Sequence, residues 1–307
     1  MAAKYIPPHL RRQLASAEAS AAADTEPSDS IDPVNPAGST VNESEAKIRD
    51  VKLVATYNWI DESAPTILVP GLPSTWNPPS ENQPLDSDEV GRFVDQNADR
   101  NPRSPIEPLI RAVLTVQPEF AFDGLDIVSD RQCSSFKFGV QLVGKTLILV
   151  RIEDKTRVYS THLQYRNAFE QTYTAVEPVA KRTTSHHRIS NYKFGSIDLL
   201  VWFVADAYLP KHPSVVTGEP TESSAADLVK WTSTITLASP PPSLEDPNVA
   251  KGVFVVDGGR IVPQAAVLEL TTRSAFSRIP FKINTKIPDL WILQTPHFVG
   301  AYYKHEK

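Results

Sequence analysis

The sequence predicts an α+β fold: central mixed β-sheets flanked by helices, behind a disordered N-terminal tail. Three observations predict it. Apolar residues in the middle of the chain fall in short runs bounded by Gly, Pro and polar clusters, as at 138–143 and 146–151, which is the pattern of strands. Two other segments, 105–116 and 162–174, space their apolar residues as a helix does. Residues 13–47 are rich in Ala, Ser, Asp, Glu and Pro and almost free of large apolar side chains, so they cannot bury enough surface to offset the entropy of ordering.

Residues 1–47 therefore read as a tail and 48–307 as a single domain. Thr66-Ile67-Leu68-Val69 is a short strand closed by Pro70-Gly71, and 78–88 is a loop. In 105–116, Pro105 suits a first helical turn, and Ile106, Leu109, Ile110 and Val113 share a face. Runs 138–143 and 146–151 join at Gly144-Lys145 as a hairpin. Along the helix 162–174, Tyr165, Phe169 and Tyr173 are four apart. Residues 197–203 are almost continuously apolar, as in a strand buried on both faces. Residues 212–250 are polar and Pro-rich and read as a surface insertion. Strands at 253–256 and 265–270 flank an Asp257-Gly258-Gly259 turn. A short helix at 287–293 and a strand at 298–303 follow.

Formal net charge is −5, and Cys133 is the one cysteine. The charge excludes a polybasic nucleic-acid binder. The lone thiol excludes an internal disulfide. No apolar segment has the length of a signal core or a bilayer span, so the chain reads as intracellular, cytoplasmic or nuclear, with no membrane partner. Charge is uneven: 51–130 holds 5 Lys/Arg against 13 Asp/Glu, 131–211 holds 12 against 6, and 251–307 holds 8 against 4. The two net-basic stretches carry the candidate site.

Two acids stand where buried strands should be apolar. Asp206 ends the run that begins at Leu199, and Glu269 lies inside 265–270. A buried carboxylate is costly unless it is paired, hydrogen-bonded or bound to a metal. Carboxylates on adjacent strands, with a third from a nearby helix, can form an oxygen cage for Mg²⁺ or Mn²⁺ that positions water against a phosphodiester. Each acid alone also reads as a strand-end residue reaching solvent.

The order of the pieces extends the pattern. Asp130-Arg131 precedes two strands, and Phe169-Glu170 follows on a helix. Tyr192-Lys193-Phe194-Gly195 leads into the run ending at Asp206. Leu268-Glu269-Leu270-Thr271-Thr272-Arg273-Ser274 comes next, then Leu290-Trp291-Ile292-Leu293-Gln294 before a last strand. This order resembles the decapping exoribonuclease family, RNA 5′-end quality-control enzymes related in fold to PD-(D/E)XK nucleases, over roughly residues 130–303. The chain is also similar to fungal proteins often labelled geranylgeranyl pyrophosphate synthetase, through Tyr57-Asn58-Trp59 and Ile67-Leu68-Val69-Pro70-Gly71. The synthetase label itself fails, because the sequence has no pair of DDxxD-like motifs and its apolar runs are strands.

The resemblance implies a site of Glu170, Asp206 and Glu269 as catalytic acids and ligands of Mg²⁺ or Mn²⁺, with Arg131 contacting phosphate and an RNA 5′ end as partner. It also marks departures. Val204-Ala205-Asp206 stands where the family has Glu-x-Asp, Glu269-Leu270-Thr271 where it has Glu-Leu-Lys, and Gln164 where the helix motif has glycine. Valine cannot ligate metal, and threonine cannot supply a catalytic lysine's charge. Losing one preorganised electrostatic group typically costs about 10²–10³ in rate. The favoured expectation is an eroded, weakly active or inactive domain that binds RNA 5′ ends or protein. The alternative is an active metal-dependent nuclease in which Glu153, Lys193 or Arg273 substitutes.

Other features were weighed alongside. Tyr5-Ile6-Pro7-Pro8-His9-Leu10-Arg11 resembles a segment of certain DEAD-box RNA helicases that engages the cap-binding translation initiation factor. It makes the tail a candidate docking peptide through Tyr5 and Leu10, and the chain a candidate adaptor. His186-His187-Arg188 reads as a solvated loop, with contact to a phosphate, or more rarely a metal, as the sharper alternative. Trp202 and Trp291 read as core. Trp76 and Trp231 lie in polar surroundings and are candidates for base stacking. Cys133 has no arguable catalytic partner.

Overall fold

The computed structural model describes residues 47–88, 91–131, 137–159, 164–215, 252–277 and 283–304. The Tyr5–Arg11 segment with Tyr5 and Leu10, the whole tail through residue 46, Cys133, and residues 216–251 of the expected insertion, with Trp231, lie outside the described residues. In chain order the strands are β1 (Ile48–Ile60), β2 (Thr66–Gly71), β3 (Ser74–Trp76), β4 (Arg92–Phe93), β5 (Ile127–Asp130), β6 (Phe138–Val143), β7 (Thr146–Arg151), β8 (Arg157–Val158), β9 (Thr174–Ala175), β10 (Thr183–Phe194), β11 (Ile197–Ala205), β12 (Ala207–Tyr208), β13 (Phe254–Gly259), β14 (Val267–Ser274) and β15 (His297–Tyr303). The α-helices are α1 (Gln96–Arg100), α2 (Glu107–Val116), α3 (Arg166–Tyr173) and α4 (Ile287–Ile292).

The α+β expectation holds. A mixed eight-stranded sheet runs β13-β2-β1-β10-β11-β5-β7-β6, and a five-stranded sheet runs β15-β14-β12-β3-β9; β4 and β8 form a separate ribbon. The main core lies between the large sheet and α2, where Leu109, Ala112 and Val113 pack on Val54, Tyr57, Trp59, Ile189, Leu200 and Trp202. The helical spacing read from the sequence puts Leu109 and Val113 at the centre of this contact, with Ile106 and Ile110 at its margin. Each fully buried large apolar side chain contributes roughly 1.5–3 kcal/mol. No helix among the described residues is long and apolar enough to cross a membrane.

One crossing between sheets positions everything that follows. Strand β11 ends at Ala205 in the large sheet and β12 begins at Ala207 in the small one, so Asp206 alone connects them. Strand β12 then pairs with β14, Ala207 opposite Leu268, and β15 lies parallel to β14. Asp206 and Glu269 are thus brought side by side, although Asp206 sits between strands and not within one.

Several local expectations are corrected. Asp257-Gly258-Gly259 is not a hairpin turn: it is the end of β13, which pairs in parallel with β2, Gly259 opposite Gly71. A Cβ on Gly259 would stand 2.1 Å from the Gly71 carbonyl oxygen, so the glycine serves close strand approach. His186-His187-Arg188 is no solvated loop but the buried centre of β10. His186 donates from Nδ1 to Asn58 Oδ1 (2.7 Å), His187 stacks on Tyr57 at 4.6 Å, and Arg188 donates to the Val262 carbonyl (2.9 Å). Burial pushes the His187 imidazole down to about 3 and the Arg188 guanidinium down to about 9. Trp202 is core, but Trp291 is 42 % exposed and only edges onto Phe194. Trp76 is stacked on Tyr173, at 6.2 Å, and half-buried.

Asn58 shows how the polar groups inside the large sheet are satisfied. Its Oδ1 accepts from the Leu72 amide (2.8 Å) and His186, while its Nδ2 donates to the Leu72 carbonyl (3.0 Å) and Thr183 Oγ1 (2.9 Å). Gly71, at φ +70°, keeps this space open, since a Cβ there would meet Asn58 Oδ1 at 2.1 Å. Replacing Asn58 with Ala strands several buried groups at once. We expect Asn58→Ala to lose about 2–4 kcal/mol in urea unfolding; a loss under about 0.5 kcal/mol would contradict this role.

Candidate acid and arginine site

Helix α3 brings the first site residues to the crossing. Its N-terminal amides are capped from a distance: Asp88 accepts from the Asn167 and Ala168 backbone at 3.0 and 2.9 Å, which satisfies orphan donors and suits the positive end of the helix. Phe169 is buried against Ala207, Leu268 and Leu270. Tyr165 packs on Tyr303 at 4.6 Å, and Tyr173 packs on Phe169 at 4.5 Å. The expected stripe of Tyr165, Phe169 and Tyr173 therefore anchors the helix. The helix begins at Arg166, later than the expected 162. The adjacent stripe, Arg166 and Glu170, faces Asp206.

Arg166 is the centre of the arrangement. Its Nε donates to Glu170 Oε1 at 2.7 Å, and its Nη2 donates to Asp206 Oδ1 and Oδ2 at 3.0 and 3.1 Å. Asp206 Oδ2 also accepts from the Leu270 amide of β14 at 2.7 Å. Glu269 is buried on β14, with Arg131 Nη1 3.6 Å from its Oε2. That separation is an ion pair, too long for a hydrogen bond. Arg131 follows β5, whose Asp130 lies opposite Trp202 of β11. All four residues singled out from the sequence, Arg131, Glu170, Asp206 and Glu269, are thus brought together.

The charges act on one another. Burial, then the Asp206 carboxylate, pushes both Glu170 and Glu269 up to about 7, while Arg166 opposes the rise at both and Arg131 and Lys286 oppose it at Glu269. Asp206 in turn holds the Arg166 guanidinium well above its ordinary range. With both glutamates ionised, three carboxylates face the guanidinium groups of Arg131 and Arg166, while Lys286, itself paired with Asp289 at 4.0 Å, acts on Glu269 only through its charge; each proton taken up leaves the cluster one charge more positive.

This geometry does not fit a divalent cation. A metal bridging Glu170 and Asp206 at bonds of roughly 2.0–2.6 Å would lie against the Arg166 guanidinium, which already holds Glu170 Oε1 and both Asp206 oxygens. Among the described residues no three His, Cys, Asp or Glu side chains are grouped to hold a metal ion. Nor do the expected substitutes enter the cluster. Glu153 pairs with Arg151, Arg273 contacts Ser277 at 3.3 Å, and Lys193 is exposed on β10. Val204 is 41 % exposed and Thr271 half-buried. Arg166 is the residue that the sequence reading passed over. Its one signal was the Arg166-x-x-x-Glu170 spacing beside the Tyr165/Phe169/Tyr173 stripe, which reads as an ordinary i,i+4 surface pair.

An α+β domain with a partly buried cluster of acids and arginines at a sheet crossing is the class defined by this fold and site. The chain belongs to the family described as "Domain of unknown function (DUF8563)", whose model matches residues 31–307. No curated protein matches it. Among solved structures it is similar to S. pombe Rai1 in complex with 3′-FADP (TM-score 0.44, 11 % identity, 84 % of this chain and 71 % of that one). Another is Candida albicans Rai1 in complex with pU5-Mn²⁺ (TM-score 0.42, 9 % identity, 84 % and 70 %). A third is S. pombe Rai1 (TM-score 0.38, 11 % identity), of which this chain spans 62 % while 76 % of its own length is covered.

The raised glutamates give a pH signature. Each binds its proton more tightly in the folded chain than at its ordinary 4.5. Their contribution to stability is therefore full below about 4.5 and lost as pH rises through about 7. Glu269→Gln carries no such charge. Its stability relative to the unmodified chain should rise by about 1–3 kcal/mol between pH 5 and pH 8 in urea unfolding; no change, or a fall, would contradict the assignment.

Proposed function

We propose that this domain is a decapping-nuclease-like module that binds the phosphorylated 5′ end of RNA and has little or no catalysis. The observation that carries the reading is the convergence of Arg131, Glu170, Asp206 and Glu269, in the motif order of that family, on a cluster where Arg131 and Arg166 offset the acids and each proton held by a glutamate removes one further negative charge. With both glutamates protonated, two guanidiniums face a single carboxylate, which suits an anion over a cation. Arg131 is our candidate phosphate contact: it is 19 % exposed, and its contact with Glu269 at 3.6 Å is not a hydrogen bond, which supports guanidinium donors turning to a phosphate. Asp206 and Arg166 hold one another beside it.

The departures from the family support weak or absent hydrolysis. Val204 offers no ligand, Thr271 no cation, and Arg166 holds the acids that would otherwise orient water. The test is binding and turnover on matched short RNAs with a 5′-monophosphate, 5′-triphosphate or 5′-hydroxyl, with Mn²⁺ present. Phosphorylated ends should bind more tightly, and Arg131→Ala should weaken that binding about tenfold or more, the worth of one charge-assisted hydrogen bond. Equal binding of all three ends would overturn the binding role. Robust hydrolysis, abolished by Asp206→Ala or Glu269→Ala, would overturn the inactive one.

A further inference from the structure

We propose that the Arg166 guanidinium is a tethered cation standing where a nuclease-like acid cluster would hold a divalent metal, and that the same three carboxylates become a metal site once it is removed. The inference rests on the reading of the cluster as nuclease-like, but it concerns the chain's own ion and not its RNA.

The geometry carries it. A metal on Asp206 and Glu170 would have to lie between their oxygens, and Arg166 already spans that interval, with Nη2 on both Asp206 oxygens and Nε on Glu170. The guanidinium's several donors let it engage two carboxylates at once, and it cannot be deprotonated at working pH. It is held in place by its backbone: α3 is capped by Asp88 and pinned by buried Phe169. A tethered group of this kind competes at a high effective concentration against free ions.

The substitution is incomplete, and the shortfall is visible. One guanidinium brings a single positive charge where Mg²⁺ or Mn²⁺ would bring two. It also stays at hydrogen-bond distance, 2.7–3.1 Å, where a metal would sit closer. Removing Arg166 leaves the half-buried Glu170 and the buried Asp206 carboxylates without the cation they share, near buried Glu269, with the Leu270 amide still fixing Asp206. That is a site which only added protons or a divalent ion can stabilise.

The experiment uses Mn²⁺ alone, with no RNA. The full chain and Arg166→Ala are titrated with Mn²⁺ by electron paramagnetic resonance, which reads free ion, and melted with and without it. The unmodified chain should leave millimolar Mn²⁺ free and melt at an unchanged temperature. Arg166→Ala should melt lower, bind one Mn²⁺, and recover part of its melting temperature on binding; adding Asp206→Asn should abolish both effects. If Arg166→Ala does not fold unaided, recovery of its fold only when Mn²⁺ is added supports the proposal. In that case Arg166→Gln, which keeps the stem and a neutral donor, carries the titration. Mn²⁺ binding by the unmodified chain as tight as by the Arg166 variants, or no binding by either variant, overturns it. Failure of RNA to bind the unmodified chain would sink the proposed function and leave this result standing.

Discussion

Asp206 is the residue on which the arrangement depends. It is the single residue between a strand of the large sheet and a strand of the small one. Its carboxylate ties the crossing to both neighbours, accepting the Leu270 amide from β14 and the Arg166 guanidinium from α3. A charge at such a position is stabilised only because these donors replace the water it has lost. Take the donors away and the chain would have a buried, unpaired charge at the junction of its two sheets. Structure and chemistry are inseparable here, since the same oxygens that fasten the fold also define the site.

The consequence is a site of inverted character. Three carboxylates ordinarily make a negative pocket that draws in a divalent cation. In this chain the cations come from the polypeptide, as Arg166, Arg131 and Lys286. Burial and mutual repulsion then let the two glutamates hold protons near neutral pH. Each proton so held removes one negative charge, and with both in place two guanidiniums face a single carboxylate, in line with the proposed binding of phosphate. Val204 and Thr271 are consistent with this, as neither provides a charge that hydrolysis would use.

Much of this was legible from the residues. The β6–β7 hairpin, the apolar run of β11, the face of α2 and the closing α4–β15 unit all follow from local pattern, because each signal is contained within its own segment. The four site residues were legible only through the order of motifs. What failed was whatever depends on partners distant along the chain. His186-His187-Arg188 looks polar and exposed, yet it is buried because Asn58, Tyr57 and the Val262 carbonyl receive it. Asp257-Gly258-Gly259 has turn composition, yet the glycines serve contact with Gly71 across a parallel pair. Arg166 looks like half of a helix-surface pair, and only the sheet crossing reveals its second partner, Asp206.

The most direct measurement is a crystal structure of the chain soaked in Mn²⁺, with anomalous scattering collected at the manganese edge. The account predicts the Arg166 guanidinium between Asp206 and Glu170, with no anomalous peak among the three carboxylates. A manganese peak bridging Asp206 and Glu269, with Arg166 displaced toward solvent, would contradict it.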